Sequence, residues 1–344
     1  MKIFLFKFTV LCLLLLITFL ALPIIDPYNV FHYKNIRDNG VEPNKNYIKM
    51  RYILDNPRKF NAYLFGSSRV GAINVDNITA LRCYNMTYSA GLPIEHFENL
   101  KVMLNNNIIP NAVLVGVDDI SFFIGPKAHK AELMRMPYPG DVIQKKFTYT
   151  KFLIKYLNPA ILASLPIIIS HKGGEYNYRE QFYENGGRSR IEDEQSGGKY
   201  DWDKAVPGTG MYSGGYGVKN ALADIEKIVD LCERNNIRLI IFTNPLHELT
   251  YQYAVENGYL DFLNGLSAIT NYYNFSGIND VTTNNQYYFE TNHYKISVGD
   301  LIINTIFNNT IDEKLLSQGF GYYVTVDSKD KLLDILREQL QPSR

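Results

Sequence analysis

The longest uninterrupted apolar segment of the chain lies near its N-terminal end. Residues Phe8–Ile25 carry no charge, and the apolar character extends past Lys7 back to Ile3. This length is close to the roughly 20 residues that a membrane-spanning helix needs, so the segment predicts a transmembrane helix. A cleaved signal peptide and a buried core helix are the alternatives. The run lacks a following cleavage site of small residues, which favours an uncleaved signal anchor.

The charges around this segment predict its orientation. Lys2, Lys7 and the amino terminus precede it, and Asp26 follows it. Positive charge favours the cytoplasmic side of a membrane. We therefore expect residues 1–7 to be a cytoplasmic tail, residues 8–25 a single-pass anchor, and the main domain to be extracytoplasmic, either periplasmic or at the cell surface.

From position 61 onward, short apolar runs alternate with segments of helical periodicity. This alternation is typical of an α/β domain with a mainly parallel sheet. The predicted strands are 62–65, 83–88, 112–117, 238–242 and 272–275. The predicted helices are 74–81, a segment after Pro93, 142–156, 220–235, 258–270 and 296–307.

These elements indicate the domain organisation. Residues 26–60 are expected to be a connector, 61–309 the main domain, and 310–344 a C-terminal extension with one strand and one amphipathic helix. The alternation breaks over residues 120–215, which we interpret as an insertion at the carboxyl end of a strand, where α/β folds place substrate-binding loops. A surface loop without order is the alternative for its Gly-rich part.

Composition and charge exclude several classes of function. The chain has 344 residues, of which 46% are hydrophobic, and its 35 basic residues balance its 35 acidic ones. A neutral chain has no net field to hold nucleic acid, so no nucleic-acid partner is expected. The three cysteines lack the spacing of a metal site, so neither a metal nor a cofactor is predicted. Whether Cys83 and Cys232 pair stays open.

Polar residues follow the predicted strands at the edge where a parallel sheet places its reacting groups. They are Ser68 and Arg69 after the first strand, Gly91 after the second, Asp118 and Asp119 after the third, Asn244 after the fourth, and Glu290 and His293 further on. A serine hydroxyl becomes a nucleophile when an imidazole takes its proton, and a carboxylate can orient that imidazole. Ser68, His293 and Glu290 are therefore candidates for nucleophile, base and orienting acid. The alternative is a helix-capping turn at Ser68 and a solvated helix start at Glu290.

The order of these motifs resembles the SGNH (GDSL-like) hydrolase superfamily, and within it the membrane-anchored branch of alginate O-acetylation proteins and the D-alanylation protein DltD. The resemblance covers most of the chain. It is carried by the four blocks Gly66-Ser67-Ser68-Arg69, Ser89-Ala90-Gly91, Val115-Gly116-Val117-Asp118-Asp119 and Glu290-Thr291-Asn292-His293. It implies a flavodoxin-like three-layer α/β/α sandwich.

The resemblance also implies roles for the site residues. The oxyanion hole would use the backbone N–H groups of Ser68 and Gly91 and a side chain of the third block, with Arg69 and Asn244 as further binding candidates. Asp118 stands where these hydrolases usually have an Asn, and a carboxylate repels an oxyanion that an amide would stabilise. Three roles are open for it: folding the strand end, holding Arg69 or another cation, or donating as a protonated acid.

The function expected from the resemblance is a membrane-anchored serine esterase or O-acyltransferase that works through an acyl-enzyme. Its substrate would be an envelope polysaccharide or another acylated glycan, and a multi-span membrane acyltransferase would be its partner. The alternative is a catalytically weak protein that binds glycan or scaffolds a membrane acylation complex.

Overall fold

The structure is built on a six-stranded, mainly parallel sheet. It is a computed structural model that describes residues 1–140, 146–174, 177–187, 200–209 and 215–341. The strands are β1 (Ala62–Phe65), β2 (Cys83–Asn85), β3 (Ala112–Val117), β4 (Arg238–Thr243), β5 (Tyr272–Asn274), β6 (Tyr288–Glu290), β7 (His293–Tyr294) and β8 (Tyr322–Val324). The main sheet has the order β2-β1-β3-β4-β5-β8, and β8 pairs antiparallel to β5. Strands β6 and β7 form a separate antiparallel hairpin. The predicted α/β class with a mainly parallel sheet is confirmed.

Helices connect the strands and flank the sheet. They are α1 (Lys2–Ile25), α2 (Lys45–Asp55), α3 (Pro93–Asn105), α4 (Ile120–Phe123), α5 (Pro126–Ala131), α6 (Lys146–Lys155), α7 (Leu165–Ser170), α8 (Val218–Arg234), α9 (Glu248–Glu256), α10 (Tyr259–Ile269), α11 (Ile296–Asn308), α12 (Glu313–Ser317) and α13 (Lys329–Glu338). The predicted bounds of β1 and β3 match the structure, and α3, α8, α10 and α11 lie close to their predicted positions.

The helix predicted over residues 74–81 is wrong. One 3₁₀ turn, Val75–Asn77, lies within this range, and a second, Ser68–Ala72, precedes it. The side chain of Asn74 accepts the backbone N–H of Asp76, and such local bonds compete with helix formation.

Alternation along the strands produces one apolar core on each face of the sheet. Tyr63, Phe65 and Val115 point into the core covered by α2, α3, α8 and α10. Leu64 and Leu114 point to the opposite core, which α11 covers. Successive strand residues face opposite sides, so the central strands are apolar throughout.

The two buried cysteines lie in different cores. Cys83 belongs to the α11 side of the sheet and Cys232 to the other side. Both are free thiols, and burial raises the pKa of each.

Residues 26–60, expected to be a connector, contribute helix α2 to the first core. Tyr47, Ile48 and Met50 of this helix are buried. Between them Lys49 is also buried, and its ammonium donates to the carbonyl oxygens of Asn85 (2.9 Å) and Gly186 (2.6 Å). Burial lowers the pKa of Lys49. The helix therefore fastens the end of β2 as well as covering the sheet.

Helix α1 is long and apolar enough to cross a membrane, as predicted, although it begins at Lys2 rather than Phe8. Its C-terminal end is fixed to the folded body. The Arg37 guanidinium donates to the carbonyl of Ile24 at 2.7 Å. The Asp26 carboxylate accepts three backbone N–H groups, those of Val30, Phe31 and His32.

Gly116 provides a test of the packing under the strand ends. A Cβ atom there would lie 2.4 Å from Cγ1 of Val70 and 3.0 Å from the Phe242 ring. We expect Gly116→Ala to lower the free energy of unfolding by about 1–3 kcal/mol, because the added methyl group would overpack the core. Gly215→Ala is the matched control, since its Cβ would find its nearest atom at 3.8 Å. Denaturant unfolding of the full chain in detergent measures both, and equal stabilities would contradict the expected clash.

Candidate active site

Ser68, His293 and Glu290 form a continuous hydrogen-bonded chain. The Ser68 Oγ atom lies 2.7 Å from Nε2 of His293, although 225 positions separate the two residues. The other ring nitrogen, Nδ1, contacts the Glu290 carboxylate. The β6–β7 hairpin presents both residues of the pair, with Glu290 opposite His293 in its register. The arrangement places a hydroxyl, an imidazole and a carboxylate in the order that activates a serine.

The loop after β1 presents Ser68 at the carboxyl edge of the sheet. The Ser67 side chain caps the short 3₁₀ turn that begins at Ser68. Gly66 and Gly91 allow the first two loops to approach closely, since a Cβ on Gly91 would lie 2.4 Å from the Gly66 carbonyl oxygen. Any side chain at position 91 would therefore push these loops apart.

The Glu290 carboxylate is held in place by the backbone and contacts the imidazole of His293. One of its oxygens also accepts the backbone N–H of Asn292 at 2.6 Å. Burial acts to raise the pKa of Glu290, but the hydrogen bond and charge of His293 outweigh it, so this pKa lies below its ordinary value. The group is therefore a carboxylate at neutral pH and can only accept from Nδ1–H. This leaves Nε2 of a neutral ring as the acceptor that faces Ser68.

Arg69 is a buried residue in the wall of the cleft. Its Nη1 atom lies 2.8 Å from Asp118 and 2.7 Å from Asp119. Its Nε and Nη2 atoms donate to the backbone carbonyl (2.9 Å) and side-chain oxygen (2.6 Å) of Asn292. The guanidinium thus joins the Ser68 loop, the end of β3 and the residue next to His293. Burial acts to lower the pKa of Arg69, but the charges of Asp119 and Asp118 reverse this into a net increase.

Asp118 is turned into this network and away from the cleft. Besides Arg69, its carboxylate accepts from Ser67 Oγ at 2.7 Å and from Nδ2 of Asn244 at 3.0 Å. It also accepts the backbone N–H of Ile120. Of the three roles left open by the sequence, the structure shows that Asp118 holds Arg69 and folds the strand end.

Neighbouring Asp119 binds the same guanidinium nitrogen. Strand alternation would send adjacent side chains to opposite faces, but β3 ends at Val117 and the alternation ends with it. Burial and the charge of Asp118 raise the pKa of Asp119. The charge of Arg69 acts in the opposite direction, but the net shift is upward. In the part of the chain that the structure describes, no group of three or more His, Cys, Asp or Glu residues could hold a metal ion.

Two predicted site residues lie behind the cleft surface. The Gly91 N–H donates to the Tyr88 carbonyl at 3.3 Å, within a turn. Asn244 is buried, with its amide on Asp118 and its oxygen accepting from the Tyr294 hydroxyl at 2.9 Å. Neither is among the described residues that line the cleft.

The cleft in front of Ser68 has a volume of about 520 Å³. Parts of the chain outside the sequence motifs supply much of its wall. These are Gly40, Glu42, Pro43 and Lys45 from the segment before α2, and Arg135, Tyr178 and Gln181 from the insertion. No sequence pattern marked them, because only the folded chain brings them beside Ser68.

Glu42 places an acidic group in this wall. Its carboxylate accepts from the Ser89 hydroxyl and lies 3.4 Å from the Lys45 ammonium. Burial acts to raise the pKa of Glu42, but Lys45 and Ser89 outweigh it and the net shift is downward. With Lys45 and Arg135 nearby, the cleft offers charges of both signs to a polar substrate.

His247 is neither a cleft residue nor part of an exposed loop. It is buried, its ring stacks against Trp202 at 5.2 Å, and its Nδ1 accepts the Leu249 N–H at the start of α9. The imidazole is therefore a helix cap.

A model of a family of uncharacterised proteins matches residues 216–316 of the chain. The match includes Glu290 and His293 but begins well after Ser68. No curated protein matches the chain.

The Arg69 network predicts a large loss of stability on substitution. Arg69→Met would leave Asp118 and Asp119 buried without a counter-charge, which costs about 3–5 kcal/mol. Arg179→Met is the control, because Arg179 is 83% exposed and its ion pair with Glu184 lies at the surface. Surface pairs contribute about 0–1 kcal/mol. Thermal and denaturant unfolding measure both variants, and a loss at Arg69 as small as at Arg179 would contradict the proposed network.

Proposed function

We propose that the chain is a membrane-anchored SGNH-like serine esterase or O-acyltransferase that acts on a cell-surface glycan or another envelope polymer. The observation that carries this proposal is the 2.7 Å contact between Ser68 Oγ and His293 Nε2, with Glu290 on the far side of the ring. Proteins that activate a serine need this pairing of nucleophile and base, together with a group that orients the base.

The reaction proceeds in two steps. His293 takes the hydroxyl proton as Ser68 Oγ attacks the ester carbonyl, and the same proton passes to the departing alcohol when the tetrahedral intermediate collapses. A second hydroxyl then gives its proton to His293 and attacks the acyl-serine, and His293 passes this proton to Ser68 Oγ as the acyl–oxygen bond breaks. Water as the second hydroxyl gives hydrolysis, and a glycan hydroxyl gives transfer.

The stabilisation of the oxyanion separates the two candidate functions. We assign one donor to the Ser68 N–H, while the third-block position holds Asp118, whose carboxylate is committed to Arg69. This carboxylate does not face the cleft, so it neither repels nor stabilises the intermediate. The Gly91 N–H, the other expected donor, is bonded to the Tyr88 carbonyl. Each missing donor costs about 3–4 kcal/mol of barrier. This observation favours the alternative of a catalytically weak, glycan-binding or scaffolding protein.

The strand order supports the SGNH assignment. The five parallel strands run β2-β1-β3-β4-β5, which is the flavodoxin-like order, and β8 adds an antiparallel edge. Apolar cores on both faces of the sheet fit a three-layer α/β/α sandwich. Ser68 lies where such sheets place their reacting groups.

The proposed location follows from α1 and the charges around it. A single-pass anchor with the N-terminus in the cytoplasm places the cleft outside, where envelope polymers are assembled. Because an outer domain has no source of activated acyl groups of its own, a multi-span membrane acyltransferase is the proposed donor.

A fluorophosphonate probe tests the nucleophile. We expect the full chain in detergent to be labelled at Ser68, and labelling to be lost in Ser68→Ala and His293→Ala. Ser317→Ala, which removes an exposed hydroxyl on α12, should label like the parent chain. Peptide mapping distinguishes Ser68 from Ser67 and Ser89. A folded chain that is not labelled would reject the enzyme and leave the binding or scaffold function.

A pair of substitutions tests the orienting acid. Glu290→Gln keeps the size of the side chain but can donate to Nδ1, which favours the wrong tautomer. We expect labelling to slow by on the order of 10²- to 10⁴-fold. Glu290→Asp keeps the charge with a shorter arm, so its loss should be clearly smaller. Equal rates for the two variants would show that the charge at position 290 does not orient His293.

A further inference from the structure

A second apolar segment lies beside the end of α1. Residues 156–170 carry no charge, and Lys155 and Lys172 flank them. They connect α6 to a 3₁₀ helix, Pro159–Ser164, and to α7, and the two helical parts are bent by 42° relative to each other. The segment is too short to cross a membrane by itself.

Three isoleucines of α6 and α7 are exposed. Ile154, Ile167 and Ile169 have exposed fractions of 57%, 50% and 79%, and we call them the isoleucine patch. Exposed apolar side chains are unfavourable in water, and several of them in one segment can mark a site of contact with a partner or a membrane.

The segment is fixed to the body at the base of α1. The Tyr28 ring, three residues after the end of α1 at Ile25, packs edge-on against Tyr156 at 6.0 Å. Burial raises the pKa of the Tyr28 hydroxyl, and the nearby Ser164 side chain opposes this shift. Helix α1 itself packs against Pro159–Ser164. The isoleucine patch is therefore held next to the point where α1 enters the folded body.

We propose that the isoleucine patch inserts into the membrane leaflet from which α1 emerges, so that α6 and α7 form an interfacial element. This rests on the proposed membrane anchoring by α1. Both ends of the segment return to the same body, so it enters the leaflet without crossing it, to a depth of about 5–10 Å. Lys155 and Lys172 can extend to the headgroups, and anionic lipids would attract them.

The insertion would also hold the cleft near the membrane surface. His171 follows α7 directly, and its Nε2 atom contacts Asp38 at 2.9 Å. Its ring packs against Gly40, where a Cβ would lie only 2.9 Å away, and Gly40 lines the cleft. One wall of the cleft is thus connected to the isoleucine patch through two residues.

Environment-sensitive labels on single cysteines test the proposal. The full chain is reconstituted into vesicles of phosphatidylcholine and phosphatidylglycerol, with and without doxyl-labelled lipids. Cys12 is exposed on α1, whereas Cys83 and Cys232 are buried, so a nitrobenzoxadiazole label on the native chain reports α1. The same label on Ile169→Cys, in a Cys12→Ser background, reports the isoleucine patch. Ile109→Cys is the matched control, because Ile109 is 65% exposed and precedes the amino end of β3, whereas the cleft lies at the carboxyl ends of the strands.

We expect the labels at Cys12 and Ile169→Cys to show blue-shifted emission, quenching by doxyl lipids and a severalfold loss of quenching by iodide. The label at Ile109→Cys should stay accessible to iodide. If Cys12 responds and Ile169→Cys behaves like Ile109→Cys, the interfacial insertion is wrong while the anchor stands. If Ile169→Cys is shielded from iodide but not quenched by doxyl lipids, protein rather than lipid covers the patch, which also overturns the proposal. A Cys12 label without lipid contact overturns both the anchor and the insertion.

Discussion

A single buried guanidinium determines whether Ser68 and His293 meet. Arg69 follows Ser68 directly in the sequence and holds Asn292, which directly precedes His293, through two hydrogen bonds. The same group is held in place by Asp118 at 2.8 Å. A buried charge is costly unless it is paired and its donors are satisfied, and the forked shape of arginine meets both conditions here. Lysine has no such fork, so the distance between the candidate nucleophile and base depends on arginine.

This network explains why a carboxylate occupies position 118. An asparagine there could donate to an oxyanion, but it would leave the Arg69 charge balanced by Asp119 alone. With both carboxylates ionised, the cluster of Arg69, Asp118 and Asp119 has a net negative charge. Burial and the charge of Asp118 therefore raise the pKa of Asp119. The position therefore contributes to the geometry of the hairpin that carries His293 rather than to the oxyanion directly. The Asp118 carboxylate is thus committed to Arg69, Ser67 and Asn244, and it does not face the cleft.

The sequence predicts the sheet better than it predicts the surroundings of the cleft. Strands β1 and β3 are short apolar runs that stop at polar residues, and their bounds could be predicted because burial on both faces leaves little choice of residue. The position of Ser68 could be expected because parallel strands end at one edge, but its convergence with His293 could be expected only from the resemblance, since His293 lies on the separate β6–β7 hairpin. The β6–β7 hairpin that carries Glu290 could not be predicted, because the four residues Glu290–His293 fit the start of a helix equally well. Helix α2 was missed because Lys49 interrupts its apolar face, and the bonds of that lysine to Asn85 and Gly186 exist only in the folded chain.

The base of α1 and the wall of the cleft belong to one short segment, residues 26–45. Asp26 begins it with three backbone hydrogen bonds, and Arg37 closes the last turn of α1. The last part of this segment contains Glu42 and Lys45, which line the cleft. Rotation of the body about the base of α1 would break these contacts. The segment therefore fixes the base of α1 and one wall of the cleft to the same part of the folded body.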